Sequence, residues 1–192
     1  MLSAVRQSVA LSAAALSFVT VVSGRSNAHG RVPPESEHVV LAQVPTDADL
    51  LGTLHQMNLN EIKAAQLAET MSRNNNVRAL ASQIISDHTT LDQQTTALAA
   101  QLGITPTTGD STIARQGSAE LDNLRARNGG ATFDLAFSGA QVQDHMQALA
   151  LVESARRTAQ NVELKTALVR QIRPVIARHL QMAKSIRAGL GH

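Results

Sequence analysis

The feature that most constrains the fold is a helical stripe of apolar residues that contains a histidine. From residue 77 to residue 102, apolar positions recur at alternating steps of four and three, which is the spacing of one face of an α-helix. His88 stands in the middle of this stripe, where a leucine is expected. Three further helical segments show the same exception, with Glu61, His145 and His179 within their stripes. This pattern favours a helical bundle with a polar layer in its core.

The amino-acid composition favours an all-α fold. Hydrophobic residues make up 43% of the 192 residues, enough for one domain with a substantial core, whereas aromatic residues make up only 2%. The core must therefore consist mainly of Leu, Ile, Val, Ala and Met, and long proline-free stretches rich in Ala, Leu, Gln and Arg are typical of helices. The chain has no cysteine, which excludes disulfides, thiolate metal sites and catalytic thiols.

Residues 1–28 have the pattern of a secretory signal peptide. Arg6 provides the positive n-region, residues 9–22 form an uncharged apolar run, and residues 26–28 (Ser-Asn-Ala) offer a small-residue cleavage site. The run is shorter than the roughly 20 apolar residues that a membrane-spanning helix needs. We therefore predict export with cleavage after Ala28, and an uncleaved signal anchor is the alternative.

Removal of this segment would leave a chain without net charge. Arg6 and Arg25 are two of the 17 basic residues, and residues 1–28 contain no acidic residue, so 15 basic and 15 acidic residues remain. The basic residues are scattered along the sequence, and no aromatic surface for base stacking accompanies them. We therefore predict no nucleic-acid partner, although the pI of the whole sequence is about 9.7.

The rest of the chain divides into a linker, one helical domain and a tail. Residues 29–47 show no sustained apolar period and are rich in proline, so they are predicted to be a flexible linker. The bundle domain is predicted at residues 48–188, with a tail at 189–192, and no segment after the signal peptide is predicted to span a membrane. The long helices are predicted at residues 48–72, 77–102, 131–157 and 161–187.

The connection between the second and third long helices is too long for a tight turn. It covers residues 103–130 and contains a short amphipathic segment that is predicted to be helical. It either crosses over along the length of the bundle, as in ferritin-like folds, or forms a compact helix that caps one end. The spacing of the residues does not decide between these two arrangements.

The turn positions predict that the four exceptional residues lie in one layer. A polar break at residues 73–76 makes the first two helices an antiparallel hairpin, and Glu61 and His88 lie equally far from its midpoint. His145 and His179 flank the turn between the last two helices in the same way. Residues at equal distances from an antiparallel turn have the same height, so each pair is predicted to face across the bundle.

The last two long helices carry less regular patterns than the first two. The third has a predicted buried stripe that a serine interrupts: Ala131, Leu135, Ser138, Val142, His145, Leu149 and Val152. Within the fourth helix, Pro174 lies about one turn before His179. Because proline lacks a backbone N–H donor, it is predicted to kink this helix.

A layer of one glutamate and three histidines in a bundle core favours a metal site. Buried carboxylates and imidazoles without partners cost free energy, and bundle cores are a common place for metal sites assembled from several helices. Their oxygen and nitrogen donors suit Zn, Cu(II) or Fe rather than Cu(I) or Ca. The predicted metal ligands are Glu61, His88, His145 and His179. The alternative is a hydrogen-bonded polar layer that fixes the register of the helices and holds no metal.

Two aspartates, Asp87 and Asp144, directly precede histidines of this layer. Adjacent residues on a helix point about 100° apart, so neither aspartate is predicted to bind the same metal as its neighbour. Each is predicted either to accept a hydrogen bond from an imidazole on a neighbouring helix or to bind a surface arginine. The same Asp-His pair occurs in the middle of the second and third long helices, which is consistent with two hairpins related by approximate symmetry.

Several short segments of the chain resemble a known bacterial family. They are Asn60-Glu61-Ile62-Lys63, Val77-Arg78-Ala79-Leu80-Ala81, Asp87-His88, Phe133-Asp134, Asp144-His145 with Ala148-Leu149, and Pro174 ahead of Arg178-His179-Leu180. In this order and spacing, over about residues 48–188, they resemble the domain-of-unknown-function family 4142. The resemblance implies an exported ferritin-like bundle of the cell envelope, in a family often labelled as predicted outer membrane proteins. It implies no established reaction.

The predicted fold is therefore all-α: a ferritin-like antiparallel four-helix bundle with a short extra helix between its two hairpins. Di-iron proteins of this fold need two Glu-x-x-His pairs, whereas Ile85, Val142 and Ile176 stand three residues before the histidines here. Ferroxidase or oxygenase chemistry is therefore not expected, and a single metal ion is favoured.

These features together predict an exported protein, periplasmic or secreted, with the family label suggesting peripheral association with the outer membrane. It is expected to bind one transition metal, for envelope stress or metal handling. Two alternatives stay open: a structural bundle that binds a protein partner or a second copy of itself, and a metal-dependent oxidoreductase with an open coordination position. No catalytic residue is predicted, because the sequence has no catalytic-triad order, phosphate loop, zinc-protease motif or dinucleotide fingerprint.

Overall fold

The computed structural model describes residues 44–191, so the predicted signal peptide and most of the predicted linker lie outside the described residues. Every regular element within residues 44–191 is helical, which confirms the all-α prediction. None of these helices is both long enough and apolar enough to cross a membrane. The helices are α1 (Asp47–Met71), α2 (Asn75–Gln101), α3 (Ser111–Arg125), α4 (Gly130–Thr158) and α5, which comprises Val162–Ala167, a π-helical turn at Leu168–Ile172, and Arg173–Leu190.

The first helix begins inside the predicted linker. Thr46 and Asp49 form a capping box, in which each side chain bonds to the backbone of the other residue, and this fixes the first turn of α1. The Asp47 carboxylate accepts hydrogen bonds of 2.8 Å from the backbone N–H groups of Gln160 and Asn161. These bonds attach the start of α1 to the turn before α5, so the helical domain includes Asp47.

The connection between α2 and α4 crosses over along the length of the bundle. The loop after α2 returns the chain to the start of α1, where the Thr107 N–H donates to the Ala48 carbonyl oxygen (3.1 Å). Helix α3 then runs beside α1, and the Asn60 side chain donates to the Ile113 carbonyl oxygen (2.9 Å). The loop after α3 passes the Met71 carbonyl oxygen at the other end of α1. Two hairpins joined by one long crossover have the connectivity of ferritin-like bundles, which decides between the two arrangements that the sequence leaves open.

Two apolar clusters fill the core, one towards each end of the bundle. Each of the four long helices contributes side chains to the first cluster, among them Leu54, Leu91, Val152 and Ile176. The same helices also contribute side chains to the second cluster, among them Ala64, Ile84, Phe137 and Ala183. Along each helix, the boundary between the clusters falls at one of the predicted polar residues. The layer expected from the turn positions therefore lies between two apolar regions, and it consists of Glu61, His88, His145 and His179.

The buried face of α4 differs from the predicted stripe in its first half. Phe133 and Phe137 are fully buried and their rings stack with centroids 6.1 Å apart, whereas Leu135 is 43% exposed. The prediction of Ala131 and Leu135 as core residues is therefore wrong. Phenylalanine buries more apolar area than leucine or alanine, so two phenylalanines one turn apart decide which face turns inward. His145 is buried as predicted.

A π-helical turn lies just before Pro174, at which the sequence predicts a kink. The backbone N–H of Arg173 donates to the carbonyl oxygen of Leu168, five residues earlier. This wider turn directly precedes the proline, which then stands in the first turn of a regular helix, where no N–H donor is needed. The helix that follows keeps His179 on the buried face and continues to Leu190, into the predicted tail.

Candidate metal centre

Three of the four predicted ligands form a compact histidine cluster, which consists of His88, His145 and His179. Their side chains are almost completely buried, with exposed fractions of 5%, 1% and 0%. The ring centroids lie 5.6 Å apart for His88 and His145 and 5.3 Å apart for the other two pairs. Helices α2, α4 and α5 each contribute one ring, so the cluster joins both hairpins.

In each ring, one nitrogen faces an oxygen atom outside the cluster. These contacts are His88 Nδ1 to Asn58 Oδ1 (3.0 Å), His145 Nδ1 to the Gln141 carbonyl oxygen (3.0 Å), and His179 Nε2 to Asp87 Oδ2 (2.8 Å). Each of these oxygens is an acceptor, so these contacts favour the tautomer in which the nitrogen facing the oxygen carries the proton. The outer contacts thereby favour one tautomer of each neutral ring.

The remaining nitrogens of His145 and His179 turn towards each other, and His88 lies beside them. One nitrogen of each ring lies within 4.8 Å of the other two. His145 Nε2 and His179 Nδ1 are 3.3 Å apart, and His88 Nε2 is buried without any hydrogen-bond partner. With the outer nitrogens protonated, no proton is left for the contact between His145 and His179, so two lone pairs face each other. A cation between the rings would convert this repulsion into coordination.

Burial keeps the three imidazoles neutral. Loss of hydration lowers the pKa of His145 to about 4 and that of His179 to about 4, and it lowers the pKa of His88 well below the ordinary value of 6.5. The proximity of the rings to one another further lowers the pKa of His88 and His179. Neutral imidazole is the form that binds metals, so the cluster is in its metal-binding form at pH 7.

Asp87 combines the two roles that the sequence leaves open for it. The carboxylate accepts from His179, and it also accepts from Arg178 (2.8 Å) and Gln83 (2.9 Å). Burial raises its pKa, but the hydrogen bonds from Gln83, Arg178 and His179 outweigh burial, so the net pKa is lowered. The carboxylate therefore stays ionised beside the outer nitrogen of His179.

Glu61 lies beside the histidine cluster without joining its inner nitrogens. Its Oε1 is 3.8 Å from the outer nitrogen of His145, and its Oε2 accepts from Gln141 Nε2 (2.9 Å). No Glu61 oxygen belongs to the group of atoms that lie within 4.8 Å of one another. The role of Glu61 as a metal ligand therefore stays a prediction.

Glu61 also belongs to a carboxylate cluster, which it forms with Glu120 of α3 and Asp144 of α4 around a small pocket. Burial raises the pKa of Glu120 to about 9, that of Glu61 to about 7 and that of Asp144 to about 6. The negative charge of neighbouring carboxylates raises the pKa of Glu120 and Asp144 further. Asp144 thus faces Glu120. Within residues 44–191, it does not accept from a histidine of a neighbouring helix, which is the first of the two roles predicted for it.

A small cavity adjoins the histidine cluster. Its volume is about 20 Å³, and it is lined by His88, His145, Glu61 and Asn58 together with apolar side chains of the first core cluster. A space of roughly 10–15 Å³ is enough for one water molecule. The cavity therefore offers room for one small molecule next to two of the three rings.

Sequence reasoning did not identify the partners Asn58, Gln141 and Glu120. Asn58 stands three residues before Glu61 and Gln141 stands four residues before His145, so both follow the helical spacing that placed the predicted ligands. This spacing is the signal that could have found them. Glu120 lies on the crossover helix, and its neighbours depend on the direction in which that helix crosses the bundle.

The comparisons with known proteins concern this same helical region. Residues 33–186 match the family described as Domain of unknown function (DUF4142). The match includes all of the residues of the histidine cluster and of the carboxylate cluster. The searches of curated proteins and of solved structures gave no significant match.

Proposed function

The chain belongs to the DUF4142 family, and we propose that it binds one transition-metal ion through His88, His145 and His179. The observation that carries this proposal is the convergence of three buried imidazoles, each of which has an oxygen atom within 3.0 Å of one nitrogen and its other nitrogen available for a metal. A purely structural polar layer would be expected to pair its polar atoms, whereas His88 Nε2 has no partner.

The distance between two of the rings suits a metal with tetrahedral geometry. Two nitrogens about 2.05 Å from the same tetrahedral Zn are roughly 3.3 Å apart. His145 Nε2 and His179 Nδ1 already have this separation, at 3.3 Å. Neutral nitrogen donors favour Zn, Cu(II) or Fe, and the absence of cysteine from the sequence disfavours Cu(I).

The outer partners would orient the ligands for the metal. Metal-binding histidines commonly donate their other N–H to a carboxylate, a carbonyl or water, which fixes the ring and increases its basicity. Asp87, Asn58 and the Gln141 carbonyl oxygen occupy these positions. Glu61 would act either as a fourth ligand, after a change of rotamer, or as an acceptor beside the site.

The cellular setting of this site forms the second part of the proposal. The pattern of residues 1–28 supports export to the periplasm or beyond, and the proposed role there is metal handling or envelope stress defence. A peripheral contact with the outer membrane would agree with the label that the family often carries. A metal-dependent oxidoreductase is the less favoured alternative.

Elemental analysis tests the proposal. The protein, purified without a histidine tag from cells supplied with Zn, Cu and Fe, is expected to carry about one metal ion per chain. His145→Gln should lose this metal while keeping its helix content in circular dichroism. His55→Gln is the matched control, because His55 also lies beside an aspartate, Asp92, but half of its side chain is exposed.

Two results would overturn the proposal. One is a folded parent protein without metal, whose thermal stability does not change when divalent ions are added. The other is equal metal content in the parent and in His145→Gln, since the metal would then be bound elsewhere. Either result would favour the structural bundle.

A further inference from the structure

We infer that Glu61 stays an acceptor beside the proposed metal site, which keeps one coordination position free of protein ligands, and that this position takes water or another ligand of one or two heavy atoms. The inference rests on the proposed function and goes beyond it, because it names the size class of the exchangeable ligand. It also separates the site from those enzyme sites that bind an organic substrate directly to their metal.

The count of donors leaves a position free. The inner nitrogens of His88, His145 and His179 supply three ligands, whereas tetrahedral sites have four. Glu61 is the nearest further donor, but its Oε2 accepts from Gln141 and its Oε1 lies towards the outer nitrogen of His145. Three protein ligands with one exchangeable position is the arrangement of catalytic zinc sites.

The cavity beside the rings limits what can fill this position. It measures about 20 Å³, and His88, His145 and Glu61 are among the residues that line it. The other lining residues include apolar side chains such as Leu91 and Val152, which are 4% and 0% exposed. Pockets for organic ligands measure roughly 300–1,000 Å³, so this cavity has room for a molecule the size of water.

A much larger groove elsewhere in the described part of the chain does not provide an alternative. It has a volume of about 720 Å³, which would accommodate an organic molecule, and it lies between the start of α1, the start of α3 and the end of α4. None of the three histidines lines it. A molecule bound there would therefore not touch the metal.

The test uses the full chain loaded with Co(II), whose visible absorption reports changes in coordination. Nitric oxide, with two heavy atoms, is expected to change this spectrum under anaerobic conditions. Imidazole, with five heavy atoms, is expected to leave it unchanged at 10 mM. Metal analysis after each addition checks that Co(II) is still bound.

Enlarging the cavity should change this selectivity. Leu91→Ala shortens a side chain that lines the cavity. Imidazole at 10 mM is therefore expected to change the Co(II) absorption of this variant by at least tenfold the residual change measured for the parent. Leu80→Ala is the matched control, because Leu80 is a buried leucine on the same helix but belongs to the other apolar cluster. Val152→Ala serves the same purpose if circular dichroism shows that Leu91→Ala is not folded.

The outcomes distinguish this inference from the proposed function. If Co(II) binds but nitric oxide has no effect, no position is open and the inference fails while the proposed function stands. If imidazole binds to the parent, or does not bind to the enlarged variants, cavity size does not select the ligand and the inference also fails. If Co(II) does not bind to the histidine cluster at all, the proposed function and the inference fail together.

Discussion

The histidine cluster and the carboxylate cluster lie next to each other and are both shielded from water, yet they differ in their readiness to bind a cation. Burial favours the uncharged form of every group in both clusters. For His145 and His179, with a pKa of about 4, the uncharged form is the metal ligand. For Glu120, with a pKa of about 9, the uncharged form carries a proton where a cation would bind.

The difference arises from the partners of each group. Each histidine donates to an acceptor outside its cluster, which leaves its second nitrogen free and turned inwards. The carboxylates have one another as neighbours, and their mutual repulsion favours protonation. Burial can therefore prepare one cluster for a metal and the other for protons, depending on where the hydrogen-bond acceptors lie.

The largest expected effect on metal binding is the loss of metal-dependent stabilisation when the histidine cluster is changed. Zn at 100 times its Kd should raise the free energy of unfolding of the parent by about 2.7 kcal/mol. His179→Gln should lose most of this gain, whereas Glu120→Gln should keep it, because Glu120 belongs only to the carboxylate cluster. Chemical denaturation with and without Zn measures both. Equal gains in the two variants would show that the clusters do not differ in this respect.

A smaller effect is expected from the outer partner of His179. Asp87→Ala removes the acceptor that fixes the tautomer of this ring, so Zn affinity should fall by about 10-fold to 100-fold. Asp92→Ala is the matched control, because Asp92 contacts the exposed His55 in a similar pair (2.7 Å). Competition with a chelator gives the two affinities. An unchanged affinity in Asp87→Ala would mean that the outer contacts do not prepare the cluster.

The two clusters should also respond to pH with opposite signs in the metal-free protein. The pKa of His88 is lowered on folding, so the unfolded chain binds more protons below about pH 6.5 and the folded state loses stability as pH falls. His88→Leu removes this loss. Relative to the parent, it should therefore gain on the order of 1–2 kcal/mol in free energy of unfolding between pH 7 and pH 5. If the difference in free energy of unfolding between His88→Leu and the parent does not change with pH, the pKa of His88 is not lowered on folding.

The opposite dependence on pH is expected to be removed by Glu120→Gln. The pKa of Glu120 is raised to about 9, so the folded state binds more protons between about pH 4.5 and pH 9 and loses stability as pH rises through this range. The variant lacks this loss, so it should gain up to about 4 kcal/mol in free energy of unfolding over the parent between pH 5 and pH 8. Urea denaturation at both pH values measures the change. A relative loss at pH 8 would show that Glu120 is stabilised in its charged form.

The sequence predicts the polar layer because that layer depends on local spacing. Steps of four and three place His88 on a buried face, and equal distances from a turn place it level with Glu61. These rules need no knowledge of how the hairpins meet. The same spacing fails for Leu135 on α4, because two phenylalanines with larger apolar area turn another face inward.

The contacts of the layer could not be predicted in the same way. The carboxylate pocket depends on the crossover helix α3, which brings Glu120 towards Glu61 and Asp144 only if the connection follows the length of the bundle. The outer contacts of the histidines depend on side-chain rotamers, such as the one that brings Asn58 to His88. Sequence spacing constrains heights and faces, whereas these contacts depend on distances across the bundle.

X-ray absorption spectroscopy of the protein with one equivalent of Zn tests the central claim most directly. We expect three imidazole nitrogens at about 2.0–2.1 Å from the zinc ion together with one further oxygen or nitrogen donor. The His55→Gln variant should give the same spectrum. A zinc ion bound by one imidazole or none, in a protein that is folded, would contradict a metal site formed by His88, His145 and His179.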